Sequence, residues 1–523
     1  MRSTFSGLSM ALLGLNASQK ALDVTGQNIT NINTSGYTRQ RLDQSSISPS
    51  GASYFNMVYG AKVGQGVMVT GVSQIRDPFL DIQYRNQLTK VGTEDAKNEI
   101  LKGIGDVFDN VDVSTIQDAL DDVVDQLQVL STKVGQKGND NLVRSSFEVL
   151  LSYIHQNATD LKKVRTELET KMSTTVVPEV NQILSSIQKL NDSIKASQVQ
   201  GNPALELKDQ RNTLLDDLAT YLPIDVVYGT ENVGGGFNVE TLSIKLRGVT
   251  DAGGADVYLV KDGEKGDFSY STVDGKGKLE YTGIGGGAAL DLTDKLPSGI
   301  LKGNLDMMNK EGAFDGSTVK GIGYYEKMFD SFVNTLATEM NKLNSQYAGV
   351  AGAGNLFEAT GGGTITASNI KISDGWMNGT VKLIASEHAD VEGNTDPDNI
   401  LKMKALLSTD TITFYALDKD GNRLTDAGGN EIVVFKGTMP AAYANIQAEQ
   451  GIEKKSTQAI LNNHTTVLAN AADARDSVMG VNLDEEVMNL MRYQQSYGAA
   501  ARLMTVMDEA LDKLINDTGM VGR

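Results

Sequence analysis

The chain of 523 residues has no cysteine, only three histidines and a single tryptophan. The absence of cysteine excludes a disulfide-stapled secreted domain and every thiolate metal site. His155, His388 and His464 lie far apart in the sequence, and no H-E-x-x-H motif is present, so the zinc-peptidase signature is missing as well. These absences leave few routes to metal or nucleophilic chemistry.

Positive charge is also scarce, with 47 Lys and Arg against 66 Asp and Glu, a formal net charge of -19. Such an acidic chain repels phosphates and anionic lipid, so neither nucleic acid nor a membrane surface is expected as a partner. No apolar run is long enough to span a membrane. The short apolar run from Leu8 to Leu15 is interrupted by Ser9 and Gly14, which favours an amphipathic helix over a cleaved signal.

Apolar residues recur every seven positions at both ends of the chain. The first stripe comprises Leu8, Leu15, Leu22 and Ile29, with Phe5 and Leu12 interleaved. The last stripe comprises Leu483, Leu490, Tyr497, Met504 and Leu511, with Val487 beside it. Heptad spacing predicts coiled-coil-like helices that need partners, because a lone helix leaves its apolar stripe in water.

Helical periodicity also fills much of the interior. Apolar stripes from Ile116 to Val134 and from Leu142 to about Ala196 predict a long helical region, which Pro178 should kink or split. Helical pattern returns from Tyr325 to Leu343 and after Ile460. The Ser- and Gly-rich residues 34–65 are predicted to form an extended loop.

Two glycine-rich stretches interrupt the helical pattern. Leu242, Ile244 and Leu246 alternate with polar residues, as in a half-buried strand, and strands are also predicted at Val381–Ala385, Thr411–Leu417 and Ile432–Phe435. A chain of this length exceeds one hydrophobic core. We therefore predict a multidomain α+β fold, with terminal coiled-coil-like helices and a long helical bundle carrying two inserted β-rich domains. The predicted domains are 1–85 with 476–523 as terminal assembly segments; 86–222, 298–347 and 438–475 as a helical rod; 223–297 as a β-rich insertion; and 348–437 as a second, outer β-rich insertion.

The search for a catalytic constellation fails. His464 lies between Ile460 and Val467 on an apolar stripe, which favours a core or interface histidine. The segment from Asp418 to Asn422 resembles the start of a calcium loop, but Arg423 replaces the required glycine, so a hairpin turn is favoured. We predict that the protein is not an enzyme and holds no metal or cofactor.

The two ends carry a recognisable signature. Residues 28–41 read NITNINTSGYTRQR and residues 480–503 read GVNLDEEVMNLMRYQQSYGAAARL. The first resembles the N-terminal signature of flagellar rod, hook and hook-associated subunits, although Ser35 stands where that family often has proline. The second, with Tyr-Gln-Gln and a further tyrosine at 497, is most similar to the hook-associated protein 1 branch.

This resemblance implies a structural subunit of the bacterial flagellum at the hook–filament junction. Such subunits are secreted unfolded through the type III export apparatus, held beforehand by an export chaperone, and assemble with themselves, with hook protein and with hook-associated protein 3. The terminal helices would form an inner tube and the β insertions would face outward. The expected assembly interface comprises Phe5, Leu8, Leu12, Leu15, Leu22, Asn28, Ile29, Asn31, Gly36, Tyr37, Arg39, Leu483, Val487, Leu490, Tyr493, Tyr497, Met504 and Leu511.

Three other functions remain open from the residues. A hook or distal rod subunit shares the N-terminal signature, but the Tyr-Gln-Gln pattern and the long central helices argue against it. An enzyme domain displayed on a flagellar scaffold lacks a catalytic constellation. A coiled-coil adhesin or translocator would leave the Gly36-Tyr37 turn unexplained.

Overall fold

The structure is a computed structural model that describes residues 6–47, 64–108, 116–134, 139–234, 238–347, 350–388, 396–418, 420–426 and 428–517. Its α-helices are α1 Ser6–Thr30, α2 Pro78–Phe108, α3 Ile116–Thr132, α4 Asn139–Lys171, α5 Val177–Val199, α6 Leu205–Tyr221, α7 Ile300–Asn309, α8 Ile322–Ser345, α9 Asp374–Met377, α10 Asp398–Ser408, α11 Met439–Met479 and α12 Leu483–Asp512. Its strands are β1 Gln40–Ser46, β2 Val67–Gln74, β3 Ile224–Asn232, β4 Asn238–Thr250, β5 Asp256–Lys261, β6 Glu264–Lys265, β7 Asp267–Val273, β8 Lys276–Thr282, β9 Ala289–Asp291, β10 Phe357–Ala359, β11 Ile370–Ile372, β12 Ile412–Tyr415 and β13 Val433–Gly437. The predicted mixed α+β class is confirmed. Within these ranges, none of the helices combines the length and apolar character needed to cross a bilayer.

Two long antiparallel helices, α2 and α11, form the central axis of the helical part. Near one end, the rings of Phe108 and Tyr443 meet edge to face at 6.4 Å, and Gln450 donates from Nε2 to the Leu101 carbonyl at 2.5 Å. Near the other end, Gln87 contacts His464. The small residue Gly105 lets the Gln450 side chain lie directly against α2.

The chain stays helical through Pro178. A π-helical turn, Met172–Val176, joins α4 to α5, and the N–H of Val177 donates to the Met172 carbonyl. Pro178 lies in the first turn of α5, where its missing N–H costs least. The wider turn absorbs the proline, so α4 and α5 follow one another without an intervening loop.

The first β-rich stretch forms two antiparallel sheets, with orders β3-β4-β5-β6 and β7-β8-β9. The alternation predicted on β4 is confirmed, because Leu242, Ile244 and Leu246 are all buried. The sheets lie against α5, where Asn181 exchanges two hydrogen bonds of 2.8 Å with the backbone of Phe268. This stretch therefore shares its core with the helical part.

The second stretch contains helices α9 and α10 as well as two small antiparallel sheets, β10-β11 and β12-β13. The predicted pairing of the strands around 411–417 and 432–435 is confirmed, whereas the strand predicted at Val381–Ala385 is wrong. That segment is bound as irregular backbone instead, because the buried side chain of Asn344 binds both the Lys382 carbonyl and the Ile384 N–H. The fully buried Trp376 packs edge to face on Phe147 of α4 at 6.0 Å.

The prediction of an extended loop over residues 34–65 is wrong for residues 40–46, which form strand β1, and its residues 48–63 lie outside the described ranges. After the turn at 31–36, β1 pairs antiparallel with β2, with Gln40 opposite Gln74. Gly66, at the start of this pairing, lies against Met10 and Leu13 of α1. The sequence did not predict this pairing, because β1 is mostly polar and β2 begins with three apolar residues in a row instead of alternating.

Candidate assembly interface

The two ends of the chain form an antiparallel helix pair. Gly7 of α1 lies against Met507 of α12, and Asn28 lies against Glu486. Between them, a Cβ added at Gly14 would lie 3.8 Å from the Cβ of Ala500. The buried positions of α1 are small, and they are Ala11, Ala17, Ala21, Thr25 and Asn28. Small side chains let two helices approach closely, so this face is the one that joins the ends. The sequence pattern showed Gly14 only as an interruption of the apolar run from Leu8 to Leu15, and this face was not predicted.

The predicted apolar stripe of α1 lies beside that face. Leu8, Leu15, Leu22 and Ile29 are only half-buried, and Leu12 is 48% exposed. Phe5 lies outside the described residues. The heptad leucines are therefore not the principal contact between the two ends, because the small-residue face occupies that position.

The predicted stripe of α12 is divided between two environments. Leu490, Tyr493, Met504 and Leu511 are half-buried, at the helical spacing that faces α1. Leu483, Val487 and Tyr497 are exposed. Further large apolar side chains outside the expected assembly interface are also exposed, and they are Met488, Met491, Leu503 and Val506. The helix pair thus keeps much apolar surface in contact with water.

The Asn-rich signature forms a cluster of hydrogen bonds at the C-terminal end of α1. This cluster, the knot, comprises Asn28, Asn31, Thr34, Tyr37 and Gln40. Asn28 accepts from the Gln40 N–H and from the Tyr37 hydroxyl, both at 2.9 Å, and donates to the Gln40 carbonyl at 2.9 Å. Asn31 holds the helix end, since its Oδ1 accepts from the Thr34 hydroxyl at 3.1 Å. Burial raises the pKa of Tyr37, as do the nearby carboxylates, so its hydroxyl stays a neutral donor.

Gly36 and Thr38 fasten this knot to α6. The backbone of Gly36 has φ of +77°, and a Cβ there would lie 2.5 Å from Thr213 Oγ1, so both conformation and space require glycine. The N–H of Thr38 donates to Asp209 Oδ2 at 3.1 Å. Burial raises the pKa of Asp209, against the lowering effect of its bonds from Thr38. The signature therefore also fixes how the terminal helices leave the rest of the chain.

Arg39 closes the knot onto α12. Its guanidinium binds Glu486 and Glu485, each at 2.7 Å, and Asn28 donates to the other oxygen of Glu486 at 3.3 Å. Glu486 is only 2% exposed, whereas the Glu485 side chain is 52% exposed. The opposite charges of the two ends, about +3 over residues 1–85 and -4 over 476–523, thus include one buried pair.

Residues 480–482 join α11 to α12 beside this pair. The N–H of Arg39 donates to the Met479 carbonyl at 2.9 Å, and Asn482 caps α12 by accepting from the N–H groups of Asp484 and Glu485. The acidic first turn of α12 suits the positive end of its helix dipole. The two family-like segments, 28–41 and 480–503, therefore meet at one corner of the molecule.

The histidines do not form a reactive centre. His464 exchanges contacts with Gln87 at 2.8 Å between α11 and α2, so the predicted interface role is confirmed within the chain. His155 Nε2 lies 2.8 Å from the Ile370 carbonyl oxygen, so this histidine also connects two elements within the chain. Among the residues that the structure describes, no group of acids and histidines is arranged to hold a metal ion.

Comparison with known families matches three parts of the chain. The family model described as "Flagellar hook-associated protein FlgK helical domain" matches residues 101–357. The model described as "Flagella basal body rod protein" matches residues 8–38, and "Flagellar basal body rod FlgEFG protein C-terminal" matches residues 476–517. The last two matches coincide with the paired ends.

Full-length relatives share the same name. Flagellar hook-associated protein 1 of Bacillus subtilis is 29% identical over all of both chains, and that of Salmonella typhimurium is 24% identical over 97% of this chain and 99% of the relative. A solved structure, the flagellar hook junction protein FlgK from Burkholderia pseudomallei, aligns with 53% of this chain and 47% of its own at 17% identity, with a TM-score of 0.41. The chain is therefore similar over nearly its whole length to flagellar hook-associated protein 1 of these bacteria.

Proposed function

We propose that this protein is a structural subunit of the bacterial flagellum that forms the junction between hook and filament by self-assembly through its paired ends. The observation that carries the proposal is the exposed apolar surface along α12, the helix that begins where both family signatures meet. Leu483, Val487 and Met491 are exposed and follow one another at four-residue spacing, and Leu503 and Val506 lie one turn apart. Exposed apolar stripes of this kind mark sites of protein–protein contact.

Assembly would bury the apolar side chains that the single chain leaves exposed to water. The small-residue face holds α1 on α12, and the half-buried leucines of α1 and the exposed stripes of α12 would then contact neighbouring subunits. Each fully buried Leu or Val contributes roughly 1.5–3 kcal/mol. Ion pairs at the rim contribute ~0–1 kcal/mol each, so apolar burial dominates.

The finer parts of the proposal follow from the likeness to these relatives and from the resemblance of the two ends. The terminal pairs would line an inner tube, the stretches 223–297 and 348–437 would face outward, and the chain would be secreted through the type III export apparatus with a chaperone. The partners would be a second copy, hook protein and hook-associated protein 3. Catalysis is not part of the role, which fits relatives that are named as hook-associated proteins.

The test replaces exposed residues that the folded chain does not need. Leu503→Asp with Val506→Asp should leave export and thermal stability of the monomer unchanged but leave cells with hooks and without filaments, as seen by electron microscopy. Leu142→Asp, at an equally exposed leucine on α4, is the matched control and should swim normally. Normal filaments on the double variant would contradict the assembly surface.

The competing function, a hook or distal rod subunit, is distinguished by a deletion strain. Loss of this chain at a junction leaves hooks intact, whereas loss of a hook or rod subunit removes hooks. The match to the helical domain over 101–357 favours the junction.

A further inference from the structure

A cavity of about 380 Å³ lies beside the knot, where β2, α2, α6 and the β3–β4 strands meet. Its apolar walls include Pro78, Ile82, Leu205, Val226 and Tyr228. Four cationic side chains also line it, and they are Arg76, Arg85, Lys208 and Arg211. The assembly surface on α12 does not include any of these residues.

The positive charge of the lining is not fully neutralised within it. Asp81 pairs with Arg76 at 2.6 Å, and Glu240 is shared by Lys208 and Arg211. The partner of Arg85 is Asp216 outside the lining, and that carboxylate also binds Arg475. The lining therefore holds four cations and two carboxylates.

Three donors on this lining are buried without a hydrogen-bond partner among the described residues. They are Ser73 Oγ, Arg85 Nη2 and Arg211 Nε. Arg85 is 4% exposed and Arg211 is 1% exposed, so bulk water does not solvate them freely. Burying an N–H or O–H without an acceptor lowers stability, and a ligand that supplies acceptor oxygens restores it.

Two helices also begin at the cavity. α2 starts at Pro78 and α6 at Leu205, and both residues line it. The N-terminal end of a helix carries partial positive charge, which favours a bound anion. The two helix N-termini and the three unpartnered donors thus both favour an anionic ligand with acceptor oxygens.

We propose that this cavity binds a carboxylate attached to a short apolar group. The carboxylate offers only acceptors, which matches Ser73, Arg85 and Arg211, and Arg forks bind carboxylates in two-point geometry. The apolar group packs on Ile82 and Tyr228. The carboxylate comes either from a free organic acid or from an acidic side chain of a second copy, since the chain has an excess of 19 acidic residues.

The first arm of the test uses the free monomer and needs no assembly. Hexanoate is titrated into the full chain by calorimetry, with hexanol and hexylamine as controls. Ile82→Glu adds a carboxylate at a wall residue that is 46% exposed, and Ile82→Gln is its uncharged match. Hexanoate alone should bind at one saturable site. Ile82→Gln should weaken binding moderately through the lost apolar contact, and Ile82→Glu should weaken it at least about tenfold further than Ile82→Gln, because like charges repel at short range. Leu142→Glu, remote in sequence on α4, should bind as the parent does.

The second arm distinguishes the source of the carboxylate. Rings assembled from the full chain are examined by electron cryo-microscopy for an acidic side chain of a neighbouring copy inside the cavity. Hexanoate binding to the monomer supports a free acid, and a neighbour's carboxylate in the cavity supports the second copy. If hexanoate does not bind and the assembled cavity holds no carboxylate, or if Ile82→Glu binds hexanoate as the parent does, the proposal is wrong. The first arm is independent of the junction function, so the two can fail separately.

Discussion

Removing the carboxylate of Glu486 should release the terminal helix pair while leaving the rest of the chain intact. In Glu486→Ala, the Arg39 guanidinium and the Asn28 amide both lose a partner that is 2% exposed. Breaking a buried ion pair from one side costs about 3–5 kcal/mol. Because Arg39 keeps 19% of its surface in water and retains Glu485, we expect a smaller loss of about 2–3 kcal/mol.

Native-state hydrogen exchange measures this loss locally. A change of about 2–3 kcal/mol raises the opening constant of α1 and α12 amides by a factor of roughly 30–150, while amides of α2 and α8 should exchange as in the parent. Glu485→Ala is the matched control, since its side chain is 52% exposed and an exposed pair contributes ~0–1 kcal/mol. Equal exchange in Glu486→Ala and the parent, or equal effects of the two substitutions, would refute the role of the buried pair.

Three further predictions concern substitutions at single residues. Gly36→Ala should destabilise the knot by about 1–3 kcal/mol, because φ is +77° and the new Cβ meets Thr213 Oγ1; in hydrogen exchange Thr213→Ala should restore only part of the loss, and complete restoration would exclude backbone strain. Burial raises the pKa of Asp330 to about 6. The folded chain therefore holds a proton that the unfolded chain releases near pH ~4, and the free energy of unfolding should decrease as the pH rises from about 4 to about 6. Asp330→Asn should flatten that fall and be more stable by about 1–2 kcal/mol near pH ~7, and parallel melting profiles across pH would contradict this. Trp376→Ala should cost about 3–5 kcal/mol through the cavity left beside Phe147, measured by calorimetry because the only tryptophan is lost; an unchanged melting transition would mean that the 350–388 segment does not share the helical core.

Strong periodicity made the helices predictable. The stripe from Tyr325 to Leu343 became α8, with Tyr325 and Phe329 buried, and the alternation around Ile244 became β4. Strands β1 and β2 lack a regular alternation of apolar and polar residues, and their pairing depends on backbone hydrogen bonds and on contact with α1. At Val381–Ala385, β-branched composition predicted a strand, but binding by Asn344 holds the backbone outside any sheet.

The sequence predicted which residues belong to the site but not which of them contact one another. Asn28, Gly36, Tyr37 and Arg39 were singled out by resemblance, and the structure brings all four together. Glu486, which binds both Asn28 and Arg39, was not identified, because no local pattern links residues so far apart in the sequence. The leucine stripe of α1 suggested the contact between the ends, whereas the small residues beside it make that contact; Ala and Gly carry little hydrophobic signal, although they allow the closest approach.

Electron cryo-microscopy of the assembled junction tests the central claim most directly. The account predicts that α1 and α12 of each subunit remain paired through Asn28, Arg39 and Glu486, and that Leu503 and Val506 are buried against a neighbouring copy. A junction in which Leu503 and Val506 stay in contact with water, or in which α1 leaves α12 of its own chain, would contradict it.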